Sequence, residues 1–135
     1  MKRHLLMLAL ASTCFVATQA GAMTKDEYKV AKEKIEAEYK VAKARCDTMK
    51  DNAKDVCQKE AKGKEDVAKA ELEQAYQPSD SHARKVAEEK VKATYEVAKE
   101  KCDDQKGDAK AACVKQAKAD EAQGKADIKA MKKSM

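Results

Sequence analysis

The chain has no tryptophan, one phenylalanine and one proline among its 135 residues. The phenylalanine, Phe15, falls within the first 22 residues, so the remainder has neither Phe nor Trp. Beyond residue 22 there are only 11 Val, Leu and Ile residues: eight valines, Leu72, Ile35 and Ile128. About a tenth of that segment is too little to build a thick globular core. No stretch beyond residue 22 is apolar enough to span a bilayer. There is no Cys-x-x-Cys pair, the spacing that dithiol redox catalysis uses at a helix start. His82 is the single histidine after residue 22, and the cysteines stand eleven positions apart where zinc-binding pairs stand two to four apart. Carboxylates are abundant but lie on charged helical faces, and none is marked as a general acid–base pair. No enzyme is expected, and no catalytic, cofactor-binding or metal-binding residue is assigned.

The N-terminus carries a different pattern. Lys2, Arg3 and His4 form a positive n-region, Leu5 to Val16 an apolar h-region, and Ala20-Gly21-Ala22 an A-x-A cleavage site. An export signal over residues 1–22, cleaved after Ala22, is expected, with no transmembrane segment afterwards. Cys14 follows Thr13, which suits a lipobox poorly. Removing Lys2 and Arg3 lowers the formal charge from +5 to +3, with 27 Lys and Arg against 24 Asp and Glu. That imbalance is too small to argue for nucleic acid as a partner. Four cysteines remain, Cys46, Cys57, Cys102 and Cys113. An even number in an exported chain reads as two disulfides.

Strong helix formers fill the rest: Ala, Lys, Glu and Gln. From Tyr28 the apolar residues step by threes and fours through Ala31, Ile35, Tyr39, Ala42, Cys46, Met49, Ala53, Cys57, Ala61, Ala68, Leu72 and Ala75, one helical face. Val30, Val41, Val56 and Val67 widen that stripe. The opposite side reads as solvated, with i,i+4 pairs such as Glu36–Lys40, Asp55–Lys59, Glu60–Lys64 and Glu65–Lys69. Residues 77–81, around Pro78, interrupt the pattern. The stripe then restarts at Ala87, Val91, Tyr95, Ala98, Cys102, Ala109, Cys113, Ala117, Ile128 and Met131. Each lies 56 positions beyond its counterpart, so the protein is an internal duplication. The expected organisation is a first module over 23–77, a linker turn over 78–82 and a second module over 83–135. Val67-Ala68 is replaced by Gln123-Gly124 in the second copy, which weakens the last helix. Within the first module Tyr-Lys-Val-Ala-Lys occurs at 28 and again at 39, an 11-residue period.

The cysteines fix the topology through two alternatives. In one unbroken helix Cys46 and Cys57 would stand about 16 Å apart and could not bond. The favoured arrangement breaks the helix near Lys50 and Asn52, and again at Gly107 and Asp108, with Gly ending a helix and Asn or Asp capping the next. Cys46 then pairs with Cys57 and Cys102 with Cys113, giving an all-α fold of disulfide-clipped hairpins in an up-down four-helix arrangement. The alternative is one long antiparallel two-helix hairpin with Cys46 bonded to Cys113 and Cys57 to Cys102. That cysteine pattern resembles the twin-cysteine helical hairpins of the mitochondrial intermembrane space.

The duplicated Tyr-x-Val-Ala-Lys, Lys/Arg-Cys-Asp and Ala-Lys-x-x-Cys elements resemble the small secreted Ala/Lys/Glu-rich proteins of Gram-negative bacteria often labelled TolA-like. The 11-residue repeats also resemble those of late-embryogenesis-abundant proteins, which implies protection of membranes and proteins. The export signal, the duplicated cysteine pairs, the polar helix-rich composition and the absence of a catalytic constellation lead to the expectation of a periplasmic or secreted, non-enzymatic protein with a structural or stress-protective role in the envelope. Two other readings are a binding module for an acidic envelope partner, using the Lys-rich faces, and a thiol-based redox or metal carrier. The partners expected are envelope components or a second copy of the chain.

Overall fold

The computed structural model describes residues 22–134. The expected export signal and Cys14 lie outside the described residues, apart from Ala22 at the cleavage site. The described chain forms four helices, α1 (Lys25–Cys46), α2 (Asp51–Tyr76), α3 (Asp80–Cys102) and α4 (Gly107–Ser134), and no described residue is in a strand.

Local chemistry sets most of the boundaries. Thr24 and Glu27 make a capping box at the start of α1: the Thr24 hydroxyl accepts from the Glu27 amide at 3.2 Å, and the Thr24 amide donates to the Glu27 carboxylate at 2.8 Å. The Thr24 amide and the Thr24 hydroxyl, both donating to that carboxylate, hold the Glu27 carboxyl below its ordinary pKa. Acidic residues in the first turn of α1 and Lys43 and Arg45 in the last turn complement the helix dipole. Helix α2 stops at Tyr76, two residues before Pro78. The Ser79 hydroxyl then caps α3 by accepting from the His82 amide at 3.0 Å. The linker is therefore residues 77–79, shorter than the expected 78–82, because Asp80–His82 form the first turn of α3.

The breaks at the two cysteine clasps fall a few residues from where the sequence places them. Helix α1 ends at Cys46 and α3 at Cys102, and each is followed by the same turn. The Met49 amide donates to the Cys46 carbonyl at 3.0 Å, and the Gln105 amide donates to the Cys102 carbonyl at 3.0 Å. Gly107 does not end a helix; it opens α4 at φ 57°, and Asp51 opens α2 at φ 52° in the corresponding place. Asn52 is not a cap either. Its side-chain amide donates to the Glu100 carbonyl at 3.0 Å and ties the start of α2 to the end of α3.

The helices run up and down, and only sequential neighbours pack: α1 on α2, α2 on α3, α3 on α4. Among the described residues no other pair of helices comes close, so the arrangement is an open single layer. The crossed two-helix hairpin is excluded. The layer stays open because α2 meets α1 and α3 on opposite sides. Cys57 and Tyr76 meet Cys46 and Tyr28 of α1, while Gly63 meets Ala93 of α3. Ala61, on the first side, and Gly63 differ in direction by about 200° at 3.6 residues per turn. The buried apolar set among the described residues is correspondingly small: Cys46, Ala61, Ala70, Leu72, Cys102 and Ala117. Of the expected stripe, Met49 falls in the connection after α1 and is exposed, as are Ala53, Ala75 and Ala109. Helix α4 runs unbroken through Gly124, where an added Cβ would lie 2.6 Å from Val91 Cγ2. The helix-weakening residue thus stands at a close approach between α3 and α4.

Asp51 occupies a left-handed conformation that costs an L-residue about 1 kcal/mol, whereas its counterpart is glycine. Asp51→Gly is expected to raise stability by about 0.5–1 kcal/mol, and Gly107→Ala to lower it by about 1 kcal/mol. Urea unfolding followed by circular dichroism reads both, and a loss of stability in Asp51→Gly would contradict the assigned backbone geometry.

Candidate functional site

Two features of the layer stand out, the clasps and the α2–α3 face. Each clasp joins the last residue of one helix to the seventh residue of the next. Cys46 bonds Cys57 with Cα atoms 5.4 Å apart, and Cys102 bonds Cys113 with Cα atoms 5.6 Å apart. These are the favoured local pairings of the sequence reading. Cys46 and Cys102 are fully buried, and their partners are half-buried. An ion pair bridges each reversal in the same register, Lys54 to Asp47 at 3.4 Å and Lys110 to Asp103 at 2.8 Å. The four described cysteines are all bonded, so none of them presents a thiolate. Among the described residues no group of three or more His, Cys, Asp or Glu side chains is placed to hold a metal ion. His82 is engaged in the α2–α3 connection, where its Nδ1–H donates to the Gln77 carbonyl at 2.6 Å. The tyrosines serve the seams: Tyr28 lies against Tyr76 with ring centroids 4.6 Å apart, and Lys62 sits 5.9 Å from the centre of the Tyr39 ring. The Tyr28 hydroxyl donates to the Glu73 carboxylate, which raises the phenol pKa.

The α2–α3 face is where sequence reasoning misread the charges. Lys59 and Glu60 do not pair along α2 with Asp55 and Lys64; they reach across to Glu96 at 3.3 Å and Lys101 at 3.1 Å on α3. Glu71 accepts from Lys90 of α3 at 2.7 Å. Of the four expected intrahelical pairs, Glu65–Lys69 is present. The cause is the second packing side of α2, which a single stripe does not reveal. Between the Glu71–Lys90 and Glu60–Lys101 pairs lies a groove of about 770 Å³, floored by Gly63, Val67, Ala68, Ala93, Val97 and Ala98. Its floor is apolar and its rim is charged with both signs. Such a groove has room for an apolar segment on its floor, with Lys64 and Thr94 also lining it.

Glu65 is the functional-type residue that the stripe passed over. It fills the step between Ala61 and Ala68 and is only 8% exposed. Lys69 and Lys62 hold its two carboxylate oxygens at 2.7 and 3.2 Å. Burial pushes the carboxyl pKa up, but hydrogen bonds and charge from Lys69 and Lys62 outweigh it, leaving the pKa below the ordinary value. Glu121 repeats the position in the second half and pairs with Lys125 at 2.6 Å. The signal was available as an interruption of the stripe at the same place in both copies.

No described helix is long and apolar enough to cross a membrane. Compared with protein-family models, with curated proteins and with solved structures, the chain matches none.

Two outcomes follow from this geometry. Gly63→Ala adds a Cβ 2.8 Å from the Ala93 Cβ, which is fixed to its own backbone, so α2 and α3 must separate. A net loss of about 1–2 kcal/mol is expected in thermal unfolding, despite the better helix propensity of alanine. For Glu65, a lowered folded-state pKa means a stabilising contribution that is complete above the unfolded value, about 4.3, and is lost as pH falls through the folded value. Glu65→Gln is expected to flatten the fall of melting temperature below about pH 5, while leaving the disulfides intact. An acid limb as steep as that of the parent protein would remove Glu65 from the account.

Proposed function

We propose that the protein is an exported periplasmic scaffold with a structural or stress-protective role in the envelope, acting through its surfaces without catalysis. The observation that carries this reading is the pair of local disulfides in a layer with only six buried apolar residues. So thin a core makes the fold dependent on covalent clips, and such clips persist in oxidising compartments. The N-terminal n-region, h-region and A-x-A site supply the export route. A surface role fits a fold in which each helix exposes at least one long face. The apolar groove on α2 and α3 favours a related reading, transient holding of an apolar segment of a stressed client. The acidic-partner reading draws less support, because Lys54, Lys59, Lys62, Lys69, Lys85, Lys90, Lys101, Lys110 and Lys125 each engage a carboxylate of this chain. Thiol-based carriage would require reduced cysteines.

The test joins compartment, clasps and phenotype. Protein recovered from the periplasm is expected to yield Cys46–Cys57 and Cys102–Cys113 peptides in a non-reducing tryptic map. Replacing Cys46 and Cys57 by alanine should cost about 3 kcal/mol, from loss of an 11-residue closure, and should fail to restore osmotic or acid survival to a deletion strain. Free thiols in the recovered protein would sink the scaffold reading, and unchanged survival of the deletion strain would sink the protective role.

A further inference from the structure

The duplication supplies a template for a contact that the layer leaves unmade. Helix α3 meets α2 through Ala93 and Val97, with Val86 two turns earlier at the same angular position on the helix, and their counterparts in α1 are Ala37, Val41 and Val30. In α3 the two valines are half-buried; in α1, at the edge of the layer, Val30 is 66% and Val41 54% exposed. Two occupants drawn from the same chain compete for this face. One is α4 of a second copy, since α4 is the counterpart of α2. That pairing would keep one cross-helix pair, Asp127 against Lys34 in place of Glu71–Lys90, but is disfavoured in three other ways. Ala119 replaces Gly63, where a Cβ would meet the facing alanine Cβ at 2.8 Å. The Lys59–Glu96 pair becomes Lys115 against Lys40, and the Glu60–Lys101 pair becomes Gln116 against Arg45.

The other occupant is α1 of a second copy, and here the face is complementary to itself. In an antiparallel pairing about a two-fold axis at Ala37, the small residue meets its own copy. Glu33 then comes opposite Lys40, on one side of the contact, and Lys34 opposite Glu38 on the other. Lys34 and Glu38 already lie 3.9 Å apart on the exposed surface, so two such pairs meeting across the axis alternate in sign. We propose that the outer face of α1 is a homodimer interface that joins two copies into one continuous eight-helix layer. The contact is isologous and closes on itself, whereas the α4-to-α1 alternative would grow without limit. Helix α1 has 22 residues and is about 33 Å long, so the contact buries on the order of 700 Å² in total. An interface of that size gives a weak, concentration-dependent dimer.

Sedimentation equilibrium of the purified, oxidised protein from about 5 to about 500 µM reads this directly. The average mass is expected to rise toward that of two copies. Combining Val30→Glu with Val41→Glu should weaken the dimer at least about tenfold while helicity is retained, and Ala119→Glu on the outer face of α4 should leave it unchanged. Ala37→Cys should form a homodisulfide between copies on mild oxidation, with the two native disulfides intact by peptide mapping. A monomer at every concentration, a dimer indifferent to the valine changes, or one weakened by Ala119→Glu would overturn the proposal. So would cross-linking of Ala37→Cys to Ala119→Cys in a mixture when Ala37→Cys alone gives none.

Discussion

Helices with few large apolar side chains can gain from packing only by approaching closely, and close approach requires small residues where they touch. Gly63 against Ala93 and Gly124 against Val91 are the clearest instances, since a Cβ at either glycine would fall inside contact distance. Among the described residues, three of the six buried apolar ones are alanines and two are half-cystines, which leaves Leu72 as the one large aliphatic side chain of the set. Burying a full Leu is worth about 2 kcal/mol and an Ala much less, so the layer rests on helix propensity and on the two clasps. The clasps remove loop-closure entropy from the unfolded chain at the points where the chain reverses.

The duplication shows one module in two environments. The same valine positions are half-buried in α3 and exposed in α1, because α3 has neighbours on both sides and α1 on one. Divergence follows that difference. On α2, which faces α3, the side opposite the seam holds Gly63 with Lys59, Glu60 and Glu71 in cross-helix ion pairs. On α4, which packs on α3 alone, Gly63 is replaced by Ala119 and Glu60 by Gln116, while Lys115 and Asp127 keep the charges of Lys59 and Glu71. The elements of the clasp itself did not diverge in the same way. Both copies keep the capping turn after the first cysteine, the Asp–Lys bridge and a left-handed residue at the start of the second helix.

The all-α class was legible in the sequence from periodicity and composition, whereas the four helices and the local disulfides were favoured over a crossed two-helix hairpin only through the break signals at Lys50–Asn52 and Gly107–Asp108. Other features depended on facts that a one-dimensional pattern does not hold. A helix wedged between two neighbours has two contact faces, and the second face of α2 is written in Lys, Glu and Gly, which read as solvent-facing. The reversal was placed some residues late because Gly107 suggested a helix end. In the fold, a residue with positive φ starts the following helix, and the turn after Cys102 is closed by its own backbone hydrogen bonds. The capping box at Thr24 and Glu27 was present as a Thr-x-x-Glu signal at the first turn. Glu65 was hidden differently: a carboxylate in a seam looks like a gap in the stripe, and only the two ammonium groups that hold it make its burial tolerable.

Contacts that run only between sequential helices also bear on how such a chain meets its compartment. Each clasp closes over eleven residues and each seam lies within one hairpin or its immediate neighbour, so ordering is local and the entropic cost of bringing distant segments together is small. A hairpin can therefore oxidise and pack without waiting for the rest of the chain. Removing both clips would withdraw about 6 kcal/mol, comparable with the whole stability of a small domain. Oxidation then supplies a large share of the layer's stability, which fits a compartment in which the cysteines can bond.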